Sequence, residues 1–209
     1  MNTLQSLQWR YATKQFDPMR KLSAEQLQQL IDALILTPSS FGLQPWKFVI
    51  IEDQSLKEEL MGHSWGQPQI AACSHLIVLC RRDGMDEVYV DAYLAAMAKL
   101  RGMDDASIAA FKEIIMGFIG AKTPEQVNEW MSRQLYIALG NLMTTAATLE
   151  IDACPVEGFT PAEYDRVLGL EKEGLRSVLV CPIGYRSTDD KYADGKKIRF
   201  TEQELIVRK

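Results

Sequence analysis

Residues 37–51, TPSSFGLQPWKFVII, decide how the chain is read, because a helix must here hand over to a strand through an elbow of unusual chemistry. Pro38 has no N–H and disfavours helical backbone at Thr37, so the preceding helix must stop. Ser39 and Ser40 then stand outside any regular ladder. Gly42 permits a turn that other residues resist, and Gln44-Pro45-Trp46 leads into residues 47–51, an apolar strand expected inside the fold. Polar groups at the rim of a core suit a ligand, and equally serines that merely cap a connection.

Upstream of the elbow, Ser23-Ala24-Glu25-Gln26 has the spacing of a capping box. Leu27, Leu30, Ile31 and Leu34 follow at helical intervals, which predicts the helix that delivers the chain to Pro38. Residues 2–11 read as a shorter helix with Leu4, Leu7 and Tyr11 on one side. Arg10 and Lys14 share a face if that helix persists, and a solvated basic face is the plainer reading.

Downstream, Asp53 caps a helix running through Met61, and a loop with Trp65, Gly66, Gln67, Pro68 and Gln69 precedes another helical segment. Residues 75–80, HLIVLC, form a second buried strand, too continuously apolar for a half-exposed edge. Residues 86–101 read as a helix closed by Gly102, and Ile108, Phe111, Ile115 and Phe118 mark another before Gly120. These two helices are the best candidates for a movable cover.

Thr123-Pro124-Glu125-Gln126 combines an N-cap, a proline in the first turn and a returning glutamine. The helix it opens runs to near Glu150, roughly 40 Å at about 1.5 Å per residue. Over residues 135–147 it is apolar on nearly every side, and such a helix is covered all round. That expectation favours a homodimer with paired central helices. Thr160-Pro161-Ala162-Glu163 reads as a further capping box. Residues 176–185 read as a third core strand in which Pro182 implies a bulge or an edge position. In the tail, Lys197 and Arg199 point the same way if extended, and residues 204–207 read as extended.

The whole chain, 1–209, is read as one unit of class α+β, since a long helical block parts the second strand from the third and breaks any βαβ rhythm. Hydrophobic residues make up 47% of the 209 and charged residues 24%, an ordinary globular balance. A net charge of −5 argues against nucleic acid or an acidic membrane as partner. No segment is apolar for the length of a membrane span and the N-terminus lacks a secretion signal, so a cytoplasmic location is expected. Neither G-x-G-x-x-G after a strand nor G-x-x-x-x-G-K occurs. Cys73, Cys80, Cys154 and Cys181 lie in apolar surroundings without C-x-x-C spacing and read as buried thiols. His63 and His75 offer neither a metal site nor a triad, and no metal is expected.

Four segments in order, RYATKQFD, PSSFGLQPWKF, PVEGF and KKIRF, resemble the nitroreductase family, FMN-dependent and NAD(P)H-using, in its branch of oxygen-insensitive nitroreductases and dihydropteridine reductase. The resemblance implies an FMN-binding sheet flanked by helices in an intertwined homodimer. It implies that Arg10, Lys197 and Arg199 grip the FMN phosphate, with Tyr11, Ala12 and Lys14 nearby, Lys14 at the pyrimidine end of the ring. Pro38, Ser39 and Ser40 would reach the flavin of the other subunit. Pro155, Val156, Glu157 and Gly158 would lie along the ring, with the N–H groups of Glu157 and Gly158 toward N5 and O4. Gln67 and Gln69 would meet the pyrimidine edge, and Phe41, Phe111, Met116 and Phe118 the substrate.

The chain departs from the pattern at Ala12 for a common serine, Gly66 for a frequent asparagine and Gln69 for a lysine of some members. The activity implied is reduction of nitroaromatics, quinones or similar planar acceptors in two half-reactions, the flavin carrying the chemistry and no side chain acting as catalyst. A non-catalytic module that stores or senses FMN is the alternative.

Overall fold

The computed structural model describes residues 2–209. Helix α1 (Thr3–Trp9) is opened by Asn2, whose Oδ1 accepts from Gln5 N while the Gln5 side chain accepts from Asn2 N. It closes at Arg10, where the backbone is already extended. Arg10 and Lys14 therefore do not share a helical face. Helix α2 (Ala24–Ile35) begins with the capping box that Ser23 and Gln26 predict. A tight turn at Ser40–Gly42 leads to β1 (Trp46–Ile51), then α3 (Gln54–Gly62), capped by Asp53, α4 (Gln69–Ala72) and β2 (His75–Arg82). Helix α5 (Glu87–Arg101) ends at Gly102 with φ +64°, the left-handed stop the sequence called for. The chain continues through α6 (Asp105–Gly120), α7 (Pro124–Thr148), β3 (Asp152–Ala153), α8 (Pro161–Leu168), β4 (Leu175–Gly184) and α9 (Glu202–Leu205).

The strands form one antiparallel sheet in the order β1-β2-β4-β3, which together with the helices gives the α+β class. Strand β2 is central and buried on both faces, so its residues alternate between two cores. Leu76, Val78 and Cys80 join Leu60, Ile70, Tyr164 and Val180 on one side. Ile77 and Leu79 join Leu30, Leu34, Leu135, Leu142 and Leu179 on the other. Each such side chain contributes roughly 1.5–3 kcal/mol by leaving water. A third cluster lies away from the sheet, where Leu43 and the inner faces of α5 and α6 meet the first half of α7.

Four further expectations are corrected. Strand β1, expected inside the fold, is an edge strand and only Ile51 in it is fully buried. Pro182 occupies an interior strand away from any bulge, the register shift falling at Leu79/Cys80. Its carbonyl accepts from Cys154 N at 3.0 Å, so its nitrogen faces that same side, where β3 has ended, and the β2–β4 ladder loses no donor. Thr160 makes no side-chain cap. Its N–H is held by the His63 carbonyl at 2.9 Å and its ψ is 98°, against 158° at Ser23, so α8 starts on Pro161 alone. Residues 204–207, expected extended, begin inside α9, because Thr201 and Glu204 close a capping box.

Helix α7 buries Leu135, Ala138, Leu139, Leu142, Ala146 and Ala147 within the chain. Tyr136 and Ile137 remain 45% and 43% exposed, so its covering is incomplete in one copy.

Candidate active site

Both chain ends fold back to one place. After α1 the arm runs beside β3 through an Ala12–Ala153 bridge and beside the end of β4 through a Phe16–Arg186 bridge. Buried Asp190 fastens it: one carboxylate oxygen accepts from the Tyr11 hydroxyl and from the backbone N–H of Lys14 and Gln15, at 2.9, 2.9 and 3.1 Å. Burial alone would raise the Asp190 value, but these donors and the N–H of Tyr192 outweigh it and hold the carboxyl below its usual range. Asp152, also buried, accepts from Arg186 N and Nε at 2.8 and 2.9 Å and from the Thr13 hydroxyl at 3.2 Å. The Arg186 guanidinium in turn lies over the rings of Trp9 and Tyr11, at 4.1 and 4.6 Å from their centres.

This clasp gathers Arg10, Lys197 and Arg199. The Lys197 ammonium donates to the Arg10 carbonyl. Burial lowers the Arg10 value; the thiols of Cys181 and Cys154 oppose that and the Arg199 cation adds to it. Lys197 is lowered by burial and then by Arg10, Arg199 and Arg186. The Arg10 Nε is buried and, among the described residues, finds no hydrogen-bond partner. Like charges held together with a donor unspent fit a phosphate, whose oxygens would discharge the repulsion and take the free N–H.

From this basic end the line of groups continues inward. The Lys14 ammonium stands 3.5 Å from the Cys154 Sγ, one residue before Pro155. Val156 is buried and exchanges two backbone hydrogen bonds with Val180, at 2.8 and 3.0 Å, which ties the loop 155–158 to β4. At Gly158 a Cβ would stand 2.7 Å from Trp65 Cζ3, so only glycine lets the indole sit there without a shift. Gln67 Nε2 donates to the Gly158 carbonyl at 2.8 Å, and Gln69 Nε2 to Gln67 Oε1 at 2.8 Å. The backbone N–H groups of Glu157 and Gly158 donate to no other group among the described residues. A loop with two unspent N–H donors can stabilise negative charge that develops beside it.

The elbow lies elsewhere in this chain. Gln134 Oε1 accepts from Ser40 N at 2.9 Å, and Ser39 Oγ accepts from Gln44 N at 2.9 Å, while Pro38 is exposed. Phe41, at φ +55°, meets Phe118 and Phe111 edge to face with ring centres 5.2 and 6.2 Å apart, and Met116 packs in the same cluster. Gly42 takes φ +74°, which other residues rarely adopt, and a Cβ there would also meet the Tyr93 hydroxyl at 2.5 Å. On α7, Gln134 holds the elbow and Tyr136 reaches Glu157 in the loop 155–158. Two residues turn a helix by about 200°, so elbow and loop stand on opposite sides of α7. Arg10, Lys14, Lys197 and Arg199 are thus brought together, as are Gln67, Gln69 and Gly158, whereas Pro38, Ser39 and Ser40 are not brought to either group.

The nitroreductase family profile matches residues 7–185. The chain belongs to the nitroreductase family. A Staphylococcus aureus relative named "Putative NAD(P)H nitroreductase" is 37% identical over 194 residues, covering 89% of this chain and 87% of the relative. A Staphylococcus epidermidis protein of the same description is 32% identical over 212 residues, with 97% and 94% covered. Among solved structures, the nitroreductase-type protein ydfN of Bacillus subtilis superposes with a TM-score of 0.88 at 19% identity, over 99% of this chain and 98% of that one. A protein from Exiguobacterium sibiricum solved in complex with FMN superposes with a TM-score of 0.83 at 19% identity, over 100% and 98%. These two show that the nitroreductase fold is shared.

Three features of this nitroreductase site escaped the sequence reading. Asp190 binds Tyr11 from 179 positions away, and Asp152 binds Thr13 and Arg186 from 139 and 34 positions away, so no local pattern marks them. Trp65, 78% exposed at φ +56°, lies in a loop whose amides carry the sequence signal. Tyr136 is one of several polar positions, with Asn141, Thr144 and Thr145, on a helix segment that reads as apolar, so the pattern does not single it out.

Proposed function

We propose that the chain, acting as one unit over residues 1–209, is an FMN-dependent oxidoreductase that uses NAD(P)H to reduce nitroaromatics, quinones or related planar acceptors. The observation that carries this reading is the uncompensated cluster of Arg10, Lys197 and Arg199 with its unspent buried Nε, in a chain of this family. Arg10, Lys197 and Arg199 would take the FMN phosphate, Lys14 the ring's pyrimidine end, and Gln67, Gln69 and the loop 155–158 its edge. When bound, FMN would supply two-electron transfer between a nicotinamide and a planar acceptor. The protein's part is orientation and charge: Lys14 would place a cation, and Glu157 and Gly158 two N–H donors, beside the ring. Gln69 would add a neutral amide where some family members have lysine, so this edge carries one cation fewer.

Pro38, Ser39 and Ser40 would complete the site of a second copy, which makes the working unit a homodimer. The position of the elbow across α7 and the exposed Tyr136 and Ile137 support that arrangement. No helix among the described residues is long and apolar enough to cross a membrane. The four cysteines are buried and unbridged, as a reducing cytoplasm would keep them.

Purified protein should be yellow, bleach anaerobically with NADH or NADPH and regain colour with menadione or nitrofurazone. Initial rates with both substrates varied should give parallel double-reciprocal lines. Intersecting lines, or protein that stays colourless with added FMN, would defeat the reading; colour without bleaching would leave only an FMN-holding module.

A further inference from the structure

The loop 155–158 is anchored at three of its four positions by contacts of different kinds. Val156 is bridged to Val180, Gly158 is held by Gln67 and covered by Trp65, and Glu157 is reached by a single side chain, the phenol of Tyr136 on α7. Apart from a local turn to Phe159 N at 3.0 Å, nothing else among the described residues holds Glu157. The Glu157 N–H lies in the peptide whose Val156 carbonyl accepts from Val180 N and is fixed by β4, whereas the Gly158 N–H lies in the peptide of the Glu157 carbonyl, which is tied only by that local turn; the Tyr136 contact is what holds this peptide to another element.

We propose that Tyr136 is a positioning residue: by holding the Glu157 carboxylate it steadies the turn that carries the free Gly158 N–H, and so sets both the affinity for FMN and the balance between oxidised and reduced flavin. This rests on the reading of the preceding subsection. Glu157 then works through its carboxylate as well as its backbone, although the carboxylate touches no reacting atom. Tyr136 is suited to a latch rather than to proton donation. Its hydrogen bond to Glu157, reinforced by burial, pushes the phenol up to about 12, so the O–H stays in place throughout the range in which the protein would work. The latch also couples the loop to the elbow, since Gln134, two residues earlier, holds Ser40 N. A shift or rotation of α7 would move both.

The test is FMN titration of the apoprotein, followed by spectroelectrochemistry of the holoprotein, for wild type, Tyr136→Phe, Glu157→Ala, Glu157→Gln and the double variant Tyr136→Phe/Glu157→Ala. Loss of one charge-assisted hydrogen bond should weaken FMN binding about fivefold in Tyr136→Phe and in Glu157→Ala. The ratio of reduced to oxidised affinity should change by a similar factor, at unchanged melting temperature of the apoprotein. Glu157→Gln keeps an acceptor for the phenol and should stay within about twofold of wild type. The double variant should be no weaker than either single one. Wild-type affinity and potential in Tyr136→Phe would overturn the proposal, as would Glu157→Gln behaving like Glu157→Ala. Wild-type protein that takes up no FMN would instead overturn the underlying functional reading along with it.

Discussion

The clasp at the chain ends and the aromatic elbow are built on opposite physical terms. The clasp is built on two buried carboxylates, Asp152 held by the Arg186 guanidinium and Asp190 by neutral donors, and it gathers the cations Arg10, Lys197 and Arg199 with the Arg10 Nε unpartnered among the described residues. The elbow carries no formal charge: Phe41, Phe111 and Phe118 meet edge to face, and Ser40 is satisfied by Gln134. Helix α7 stands between elbow and loop 155–158, and Gln134 and Tyr136 address them from opposite sides. The difference teaches that the basic groups are gathered within one chain, whereas the aromatic elbow lies across a helix from the loop 155–158.

Breaking the clasp should have the largest effect. Asp152→Ala leaves the Arg186 guanidinium partly buried without its carboxylate and should cost about 3 kcal/mol of stability, read as a fall in melting temperature with loss of FMN. If the variant melts like wild type, the clasp is not held by that pair. Next, Arg10→Ala should weaken FMN binding roughly 30-fold, the loss of about 2 kcal/mol of charge-assisted bonding, with little change in melting. Arg199→Glu should do the same or more with the dimer intact, and unchanged flavin content would move the phosphate elsewhere.

Phe41→Ala sharpens the contrast from the other side. Loss of two edge contacts should cost about 1–2 kcal/mol of stability and raise KM for planar acceptors, while FMN affinity of the basic end changes less than about twofold by its independence. A large loss of FMN would join the two regions that the single chain keeps apart. The smallest effect concerns pH. The folded Asp190 carboxyl lies below its ordinary value of 3.8, so its contribution is present above about that pH and is lost as pH falls through the depressed value. Asp190→Asn should flatten the acid limb of the stability curve and leave the neutral limb lower, as acid melts would show; an unaltered acid limb would remove Asp190 from the clasp.

Much of the fold was legible in the residues. The capping boxes at Ser23 and Thr123, the Gly102 stop and the run HLIVLC each name a local structure, because caps and periodicity act within a few residues. The site was legible in part. Arg10, Lys197 and Arg199 stand out by charge and lie together, with Lys14 beside Cys154, although Arg10 and Lys14 arrive on an extended arm and not on a helix. Thr160 had the right letters for a cap but its N–H was already engaged by His63, and Pro182 looked like an edge residue until its missing donor proved to face a strand that had ended. Propensity cannot see a partner supplied by another element.

The sequence by itself determined the class, the helices and central strands, and the cations available for an anionic group, since these follow from hydrophobic period, capping chemistry and fixed charge. Only the tertiary structure decided that Asp190 would fasten Tyr11 from 179 positions away, that Tyr136 would take hold of Glu157, and that the elbow would lie across α7 from the loop. Those outcomes depend on how far a helix turns between two residues and on which buried groups remain to pair, and neither is written in any local stretch.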